Sequence, residues 1–370
     1  MRRGTKHHDR QQLTDELDKL GAQLGLSSDP GELSVTLHVK KSNLLPALKL
    51  VREILREPAF PEKEFEILKR ETGERYNRAK TEPTALASRA MQRKLTPYDK
   101  DDVRYVPTIE ESIARLDAVK LEDVKKLYET QLSGQAGELA AVGDFNPDAL
   151  QQAISDILLN WKSETEYRRI ERPAHTDLKG GKETIETPDK ANAVYIAGLV
   201  FPLKDSDPEY PALQVGNYLL GGAPLASRLS NRVRGEQGLS YGIGSQFSAD
   251  PIDKSAHVAL FAITNPKNMG KVDSLIAEEV GKFLKDGVSL SELDEGKKAY
   301  TEQMKVQRSD DSTLASQLAT ALFAGRTYAY YGDLEKKILD LNPGDVNAAV
   351  KKVLDPGKLI IVEAGDFGKK

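Results

Sequence analysis

Cysteine is absent from the 370 residues, which excludes disulfides, thiolate nucleophiles and cysteine-ligated metal sites together. Histidine is scarce, with five in the chain. Neither H-E-x-x-H nor H-x-x-E-H occurs, although a helix carrying two histidines and a glutamate is how common zinc hydrolases hold the ion and activate its water. His7 and His8 are adjacent, so on a helix their side chains diverge by about 100° and on a strand they face opposite sides, an awkward pair for one ion. His38, His175 and His257 each stand alone. A P-loop and a G-x-S-x-G elbow are also missing. Tyr241-Gly242-Ile243-Gly244-Ser245 contains G-x-G without the third glycine of a dinucleotide site. No stretch approaches about 18 apolar residues, so no membrane insertion is expected. The opening MRRGTKHHDRQQL is basic but has no apolar run behind it, so it does not read as a signal peptide. With a formal net charge of −4 and charges of both signs finely interspersed, no basic face for nucleic acid is expected.

What is present is ordinary for a globular protein: 30% charged and 39% hydrophobic residues. The length favours two domains. The most informative feature is internal repetition. Glu138 to Phe145 reads ELAAVGDF and Ile360 to Phe367 reads IIVEAGDF, each an apolar strand-like run ending in Gly-Asp-Phe. Leu86-Ala87-Ser88 is echoed by Leu314-Ala315-Ser316, and Val124 in KLEDVKKLY by Val346 in NPGDVNAAV. The segment Leu13 to Gly21, before a strand at Ser34 to Val39, resembles Leu229 to Gly238, before a strand at Ala256 to Phe261. Landmarks in a constant order and near-constant register predict a tandem duplication. The copies start unequally: before Leu229 the second has a strand-like Asn192 to Val200 and a helical pattern from Glu209 to Leu220, for which the first has no counterpart.

Periodicity points to α+β copies, each a mainly antiparallel sheet packed with helices. Leu44, Leu48, Val51 and Leu55 repeat at helical spacing, while Val35, Leu37 and Val39 share one side of a strand opposite Thr36 and His38. Helices are expected over Glu62 to Lys80, over Asn268 to Lys285 and from Ser291 onward. Thr108 with Glu111, and Ser289 with Glu292, have capping-box spacing. Lys162 to Pro188, rich in charge, proline and Gly180-Gly181, reads as an exposed linker. The resulting division is a first domain over 1–160, truncated at its N-terminus, a linker over 161–182, and a second homologous domain over 183–370.

One segment stands above this background: Leu219-Leu220-Gly221-Gly222, then Ser227-Arg228-Leu229, then Arg234-Gly235-Glu236-Gln237-Gly238-Leu239-Ser240-Tyr241. Taken with the repeat, it resembles the second domain of the pitrilysin/insulinase family, the inverted-motif zinc metallopeptidases and their inactive relatives. Arg3-Gly4-Thr5, Gly21-Ala22, Phe60 to Arg70, Val103-Arg104-Tyr105 and Ala141 to Phe145 agree with that family's first-domain pattern. The resemblance implies two α+β domains facing a similar pair across a chamber that encloses unfolded peptide. It implies that zinc belongs to a facing catalytic domain, a half or subunit carrying H-x-x-E-H, and that this chain holds no cofactor itself. The family's third zinc ligand would fall near Glu71 or Glu74, a poor match because the preceding stretch is too polar. A family arginine and tyrosine seven residues apart, which reach from the non-catalytic half toward the zinc site, match Arg234 and Tyr241. The expected function is therefore that of a non-catalytic half or subunit of a zinc endopeptidase. The alternative is an inactive scaffold or peptide-binding module of the same fold. Expected partners are the catalytic half or self-association, and unfolded peptide. The compartment is left open between bacterial cytoplasm and periplasm.

Overall fold

The structure, a computed structural model, describes residues 1–368. Helix α1 (Arg10–Lys19) starts at a capping box in which Asp9 and Gln12 each accept the other's backbone N–H, and Gly21 follows it at φ +58°. Strands β1 (Gln23–Asp29) and β2 (Glu32–His38) form a hairpin over Pro30-Gly31, with Gly31 at φ +88° in the left-handed region that glycine tolerates. A 3-10 turn, Lys41–Asn43, leads into α2 (Leu44–Arg56), then α3 (Glu62–Ala79), α4 (Pro83–Leu95), α5 (Ile109–Ala118), α6 (Leu121–Gln131) and α7 (Pro147–Leu158). The chain continues with β3 (Gly181–Glu186), β4 (Ala193–Phe201) and α8 (Tyr210–Asn217). Two π-helical segments follow, Tyr218–Gly222 and Ser230–Gly235, before β5 (Ser240–Ala249) and β6 (Ala256–Thr264). A second 3-10 turn, Pro266–Asn268, precedes α9 (Met269–Asp286), α10 (Leu290–Arg308), α11 (Asp311–Phe323), α12 (Ala329–Asp340), α13 (Pro343–Val353) and β7 (Ile360–Gly365). One order thus runs twice: two strands, a 3-10 turn ending in asparagine, then five helices, once from β1 to α6 and once from β5 to α13.

Packing divides the chain into two units that are not continuous in sequence. Unit 1 comprises Met1–Tyr76, Glu110–Ile170 and Arg308–Gly325; unit 2 comprises Asn77–Ile109, Glu171–Gln307 and the chain from Arg326 onward. Unit 1 therefore includes α11, and unit 2 includes α4.

Unit 2 is built on a five-stranded mixed sheet in the order β3-β7-β4-β6-β5, antiparallel except for the β3/β7 pair. Its central strand β4, AVYIAGLVF, is apolar almost throughout because both faces are covered. On one face Tyr195, Ala197, Leu199 and Leu260 join Val272, Ile276 and Val280 of α9 and Val346 and Val350 of α13. On the other, Val194, Ile360, Val362 and Ala364 lie beneath Ala87 and Met91 of α4. Gly198 allows that helix to approach: a Cβ there would come within 2.8 Å of the Met91 sulfur. Lys182 of β3 bridges Asp273 of α9 at 2.8 Å and Glu363 of β7 at 2.7 Å.

Unit 1 is an α+β layer of smaller extent. Leu48, Val51 and Ile54 of α2 pack with Leu13 and Leu17 of α1, Leu24 of β1, and Leu150 and Ile157 of α7. Among the described residues its sheet is β1-β2 alone.

Two expectations need correction. Glu138 to Phe145 is not a strand: no residue of it joins a ladder, whereas its sequence counterpart Ile360–Gly365 is β7. A strand is stabilised by its neighbours. β7 lies between β3 and β4, and unit 1 contains no equivalent of either among the described residues. The segment read as an exposed linker, Lys162 to Pro188, contains β3, whose six residues pair in parallel with β7. Lys182, Glu183 and Glu186 give it the charged composition of an edge strand, which reads as a linker in sequence.

Candidate functional site

The segment singled out by its glycines and basic residues wraps the edge strand β5. Gly221 lies directly against that strand, where an added Cβ would sit 2.5 Å from the Ser245 backbone nitrogen. The Leu-Leu-Gly-Gly sequence is thus a packing requirement: Leu219 and Leu220 enter the core while Gly221 leaves room for β5. After a turn through Ala223–Ser227 the chain becomes helical at Arg228. Arg228 is clamped. Its Nε and one terminal nitrogen donate to both Glu292 oxygens at 2.6 Å, the same terminal nitrogen donates to the Gly287 carbonyl at 2.8 Å, and the guanidinium lies 4.9 Å from the Phe283 ring centroid. Glu292 also caps α10: its backbone N–H donates to the Ser289 hydroxyl at 3.2 Å, and its carboxylate accepts from the Ser289 N–H at 3.4 Å. This clamp was invisible in sequence because its partner lies 64 residues away.

Leu229 and Val233, fully buried, hold the second π-helical segment in the core. Such wide turns are rare and cluster at functional sites. Arg234 follows Val233 and is exposed. The turn closes through two backbone bonds, Gly238 N–H to the Arg234 carbonyl at 3.0 Å and Leu239 N–H to the Val233 carbonyl at 3.1 Å, with Gly238 at φ +62°. Strand β5 then begins with an irregularity. Ser240 pairs with Thr264 and Gly242 with Ile263, so Tyr241 is the extra residue of a β-bulge. Ser240 secures the bulge by donating to the Gly242 or Ile263 carbonyl, each 2.8 Å away. Tyr241 is consequently turned out of the sheet and is 79% exposed. The structure places Arg234 and Tyr241 at the two sides of one turn, both on the surface of unit 2 and neither in its core. Chemically the pair offers a planar fork of N–H donors and a phenolic O–H donor, suited to carbonyl or carboxylate oxygens.

The other candidate positions lie in unit 1. Glu71, on α3, accepts from Arg3 at 2.5 Å, while Arg3 also reaches Glu64 at 3.2 Å; Glu74 is exposed. His7 meets Glu57 at 3.0 Å and His8 meets Glu53 at 2.8 Å, one carboxylate apiece. Among the described residues no group of three or more His, Asp or Glu is placed to hold a metal ion. These residues do not fit the zinc site of an inverted-motif peptidase, which needs two histidines and a carboxylate converging on one point.

Two family descriptions match the chain: "Insulinase (Peptidase family M16)" over residues 1–98 and "Peptidase M16 inactive domain" over residues 118–300. The chain belongs to the pitrilysin/insulinase (M16) peptidase family. Over 334 residues it is 24% identical to the non-peptidase homolog YmxG of Helicobacter pylori, a match covering 89% of this chain and 72% of that one. The M16 fold is shared with a peptidase M16 inactive domain from Pseudomonas fluorescens, with a TM-score of 0.80 at 20% identity over 98% of this chain and 85% of the other. It is shared also with a protease from Helicobacter pylori, with a TM-score of 0.82 at 15% identity over 98% and 87%. Within this M16 chain the H-x-x-E-H motif is absent. Among the described residues no helix is long and apolar enough to cross a membrane.

Proposed function

We propose that this chain is the non-catalytic half or subunit of an M16 zinc endopeptidase, arisen by tandem duplication, which helps enclose unfolded peptide and presents Arg234 and Tyr241 to a facing catalytic domain. The repeated element order from β1 to α6 and from β5 to α13 supports the duplication. Division by repeat falls at residues 1–160, 161–182 and 183–370. The observation that carries the functional reading is the bulge at Tyr241, which gives up a ladder position to expose a phenol one turn along the chain from the exposed Arg234. In this role Tyr241 donates to the substrate oxygen that gains negative charge during peptide hydrolysis, and Arg234 holds a peptide carbonyl or carboxylate in its fork. Glu71 stays a surface carboxylate paired with Arg3.

The test is reconstitution with a catalytic H-x-x-E-H partner of the same family. Tyr241→Phe retains the ring and removes one donor, so turnover should fall by about 10²- to 10³-fold while peptide affinity changes much less. Arg234→Lys keeps the charge but loses the planar fork, so peptide engagement should weaken. Rates unchanged in both variants would leave the chain as a scaffold or peptide-binding module.

A further inference from the structure

Along β5, Ile243, Ser245 and Phe247 are buried on one face. Period-two alternation extended back from Ile243 would carry Tyr241 to that same face, yet Tyr241 is exposed. The bulge makes the difference. It also has a cost, because the extra residue leaves the ladder and buried backbone groups beside it lose their partners. Two hydroxyls stand at that place. Ser240 and Thr264 form the pair that closes the β5/β6 ladder beyond the irregularity, and both are buried, Thr264 completely. Ser240 Oγ lies 2.8 Å from the carbonyl of Ile263, the residue before Thr264. Thr264 Oγ1 donates to the carbonyl of Leu239, the residue before Ser240. The two side chains thus reach across the strand pair reciprocally. A second acceptor for Ser240, the Gly242 carbonyl, also lies at 2.8 Å, and one hydroxyl hydrogen serves one of the two at a time.

Leu239 is held from its other side as well. Its N–H donates to the Val233 carbonyl at 3.1 Å, and its side chain packs against the core of unit 2. Thr264 sits on β6 between β5 and β4, opposite Ala193 of β4, so the turn that carries Arg234 and Tyr241 is fastened to an interior strand. We infer that Ser240 and Thr264 are positioning residues for Tyr241: their reciprocal hydrogen bonds hold the bulge in register and so aim the phenol outward. With the hydroxyls removed, the Leu239 and Ile263 carbonyls lose these donors, and the one-residue slip that restores plain alternation in β5 turns Tyr241 toward the buried face. The outward aim is a property of unit 2 by itself; only the expected effect on turnover rests on the catalytic-support role proposed for Tyr241.

The direct test needs no partner. Fluorotyrosine is placed at position 241 of the full chain, and its fluorine resonance is followed with a soluble gadolinium chelate to report exposure. Thr264→Val removes one hydroxyl with little change of shape, and Ser240→Ala removes the other. Each should broaden or split the single exposed line and shield part of it from the chelate, while amide hydrogen exchange over Leu239–Gly242 quickens by about tenfold. Thr264→Ser keeps the donor and should retain the parent line, which separates the lost hydrogen bond from lost packing. With a catalytic H-x-x-E-H partner supplied, Thr264→Val should lower kcat by about tenfold with KM nearly unchanged, and should lower it no further in a Tyr241→Phe chain. An unchanged fluorine line in both Thr264→Val and Ser240→Ala would overturn the inference, as would equal changes in Thr264→Val and Thr264→Ser. A changed line with unchanged turnover would uphold the positioning role and overturn the catalytic use of Tyr241.

Discussion

Unit 2 buries its central strand between four others and between helices on both faces, whereas unit 1 runs the same order of turn and helices from a bare hairpin. Similar local sequences therefore meet different fates. IIVEAG becomes β7 because β3 and β4 flank it; ELAAVG, with the same Gly-Asp-Phe ending, stays irregular. The contrast teaches that a strand is a property of its neighbours. Apolar alternation makes a segment able to pair, and only a partner in register makes it a strand.

The comparison can be broken most severely in the cores. Leu260→Ala, at a fully buried position of β6, should cost about 2–5 kcal/mol through lost burial and a residual cavity. Val35→Ala on β2, where 37% of the residue is exposed, should cost less than about 1 kcal/mol. Denaturant midpoints measure both, and equal losses would mean that the unit 1 hairpin is as tightly held as the unit 2 sheet.

Next in size is the Arg228 clamp of unit 2. Arg228→Ala should destabilise unit 2 by about 1–3 kcal/mol, because it strands a partly buried Glu292 carboxylate. Replacing Glu292 by Gln in the same chain should recover part of the loss. A double-mutant cycle with no coupling would show the clamp to be ornamental.

The smallest expected effect is a pH dependence confined to unit 2. Burial holds the His257 imidazole below its ordinary value, with Ser248 Oγ 3.0 Å from Nδ1. The unfolded chain therefore takes up this proton first as pH falls. The contribution is complete above about pH 6.5 and is lost progressively as pH drops below that, toward the folded-state value. His257→Gln should flatten this part of the stability profile. A wild-type slope unchanged by the substitution would assign the effect to other groups.

Much of the fold was legible because its signals are local. The spacing of Leu44, Leu48, Val51 and Leu55 yields α2, the alternation after Ala256 yields β6, and Ser289 with Glu292 forms the expected cap of α10. Strand β3 was hidden by its polar edge composition. The candidate site was legible as residue types at a spacing, Arg234 and Tyr241, but not as a geometry.

Sequence by itself determined membership of a peptidase family, the absence of H-x-x-E-H and most helices, since each depends on residue identity or on contacts a few positions apart. Tertiary structure alone decided that Tyr241 occupies a bulge, that Gly221 makes room for β5, that Arg228 is spent on Glu292, and that ELAAVG has no ladder. Each of these depends on what a distant segment brings within hydrogen-bond or van der Waals reach, and chain spacing carries no record of that.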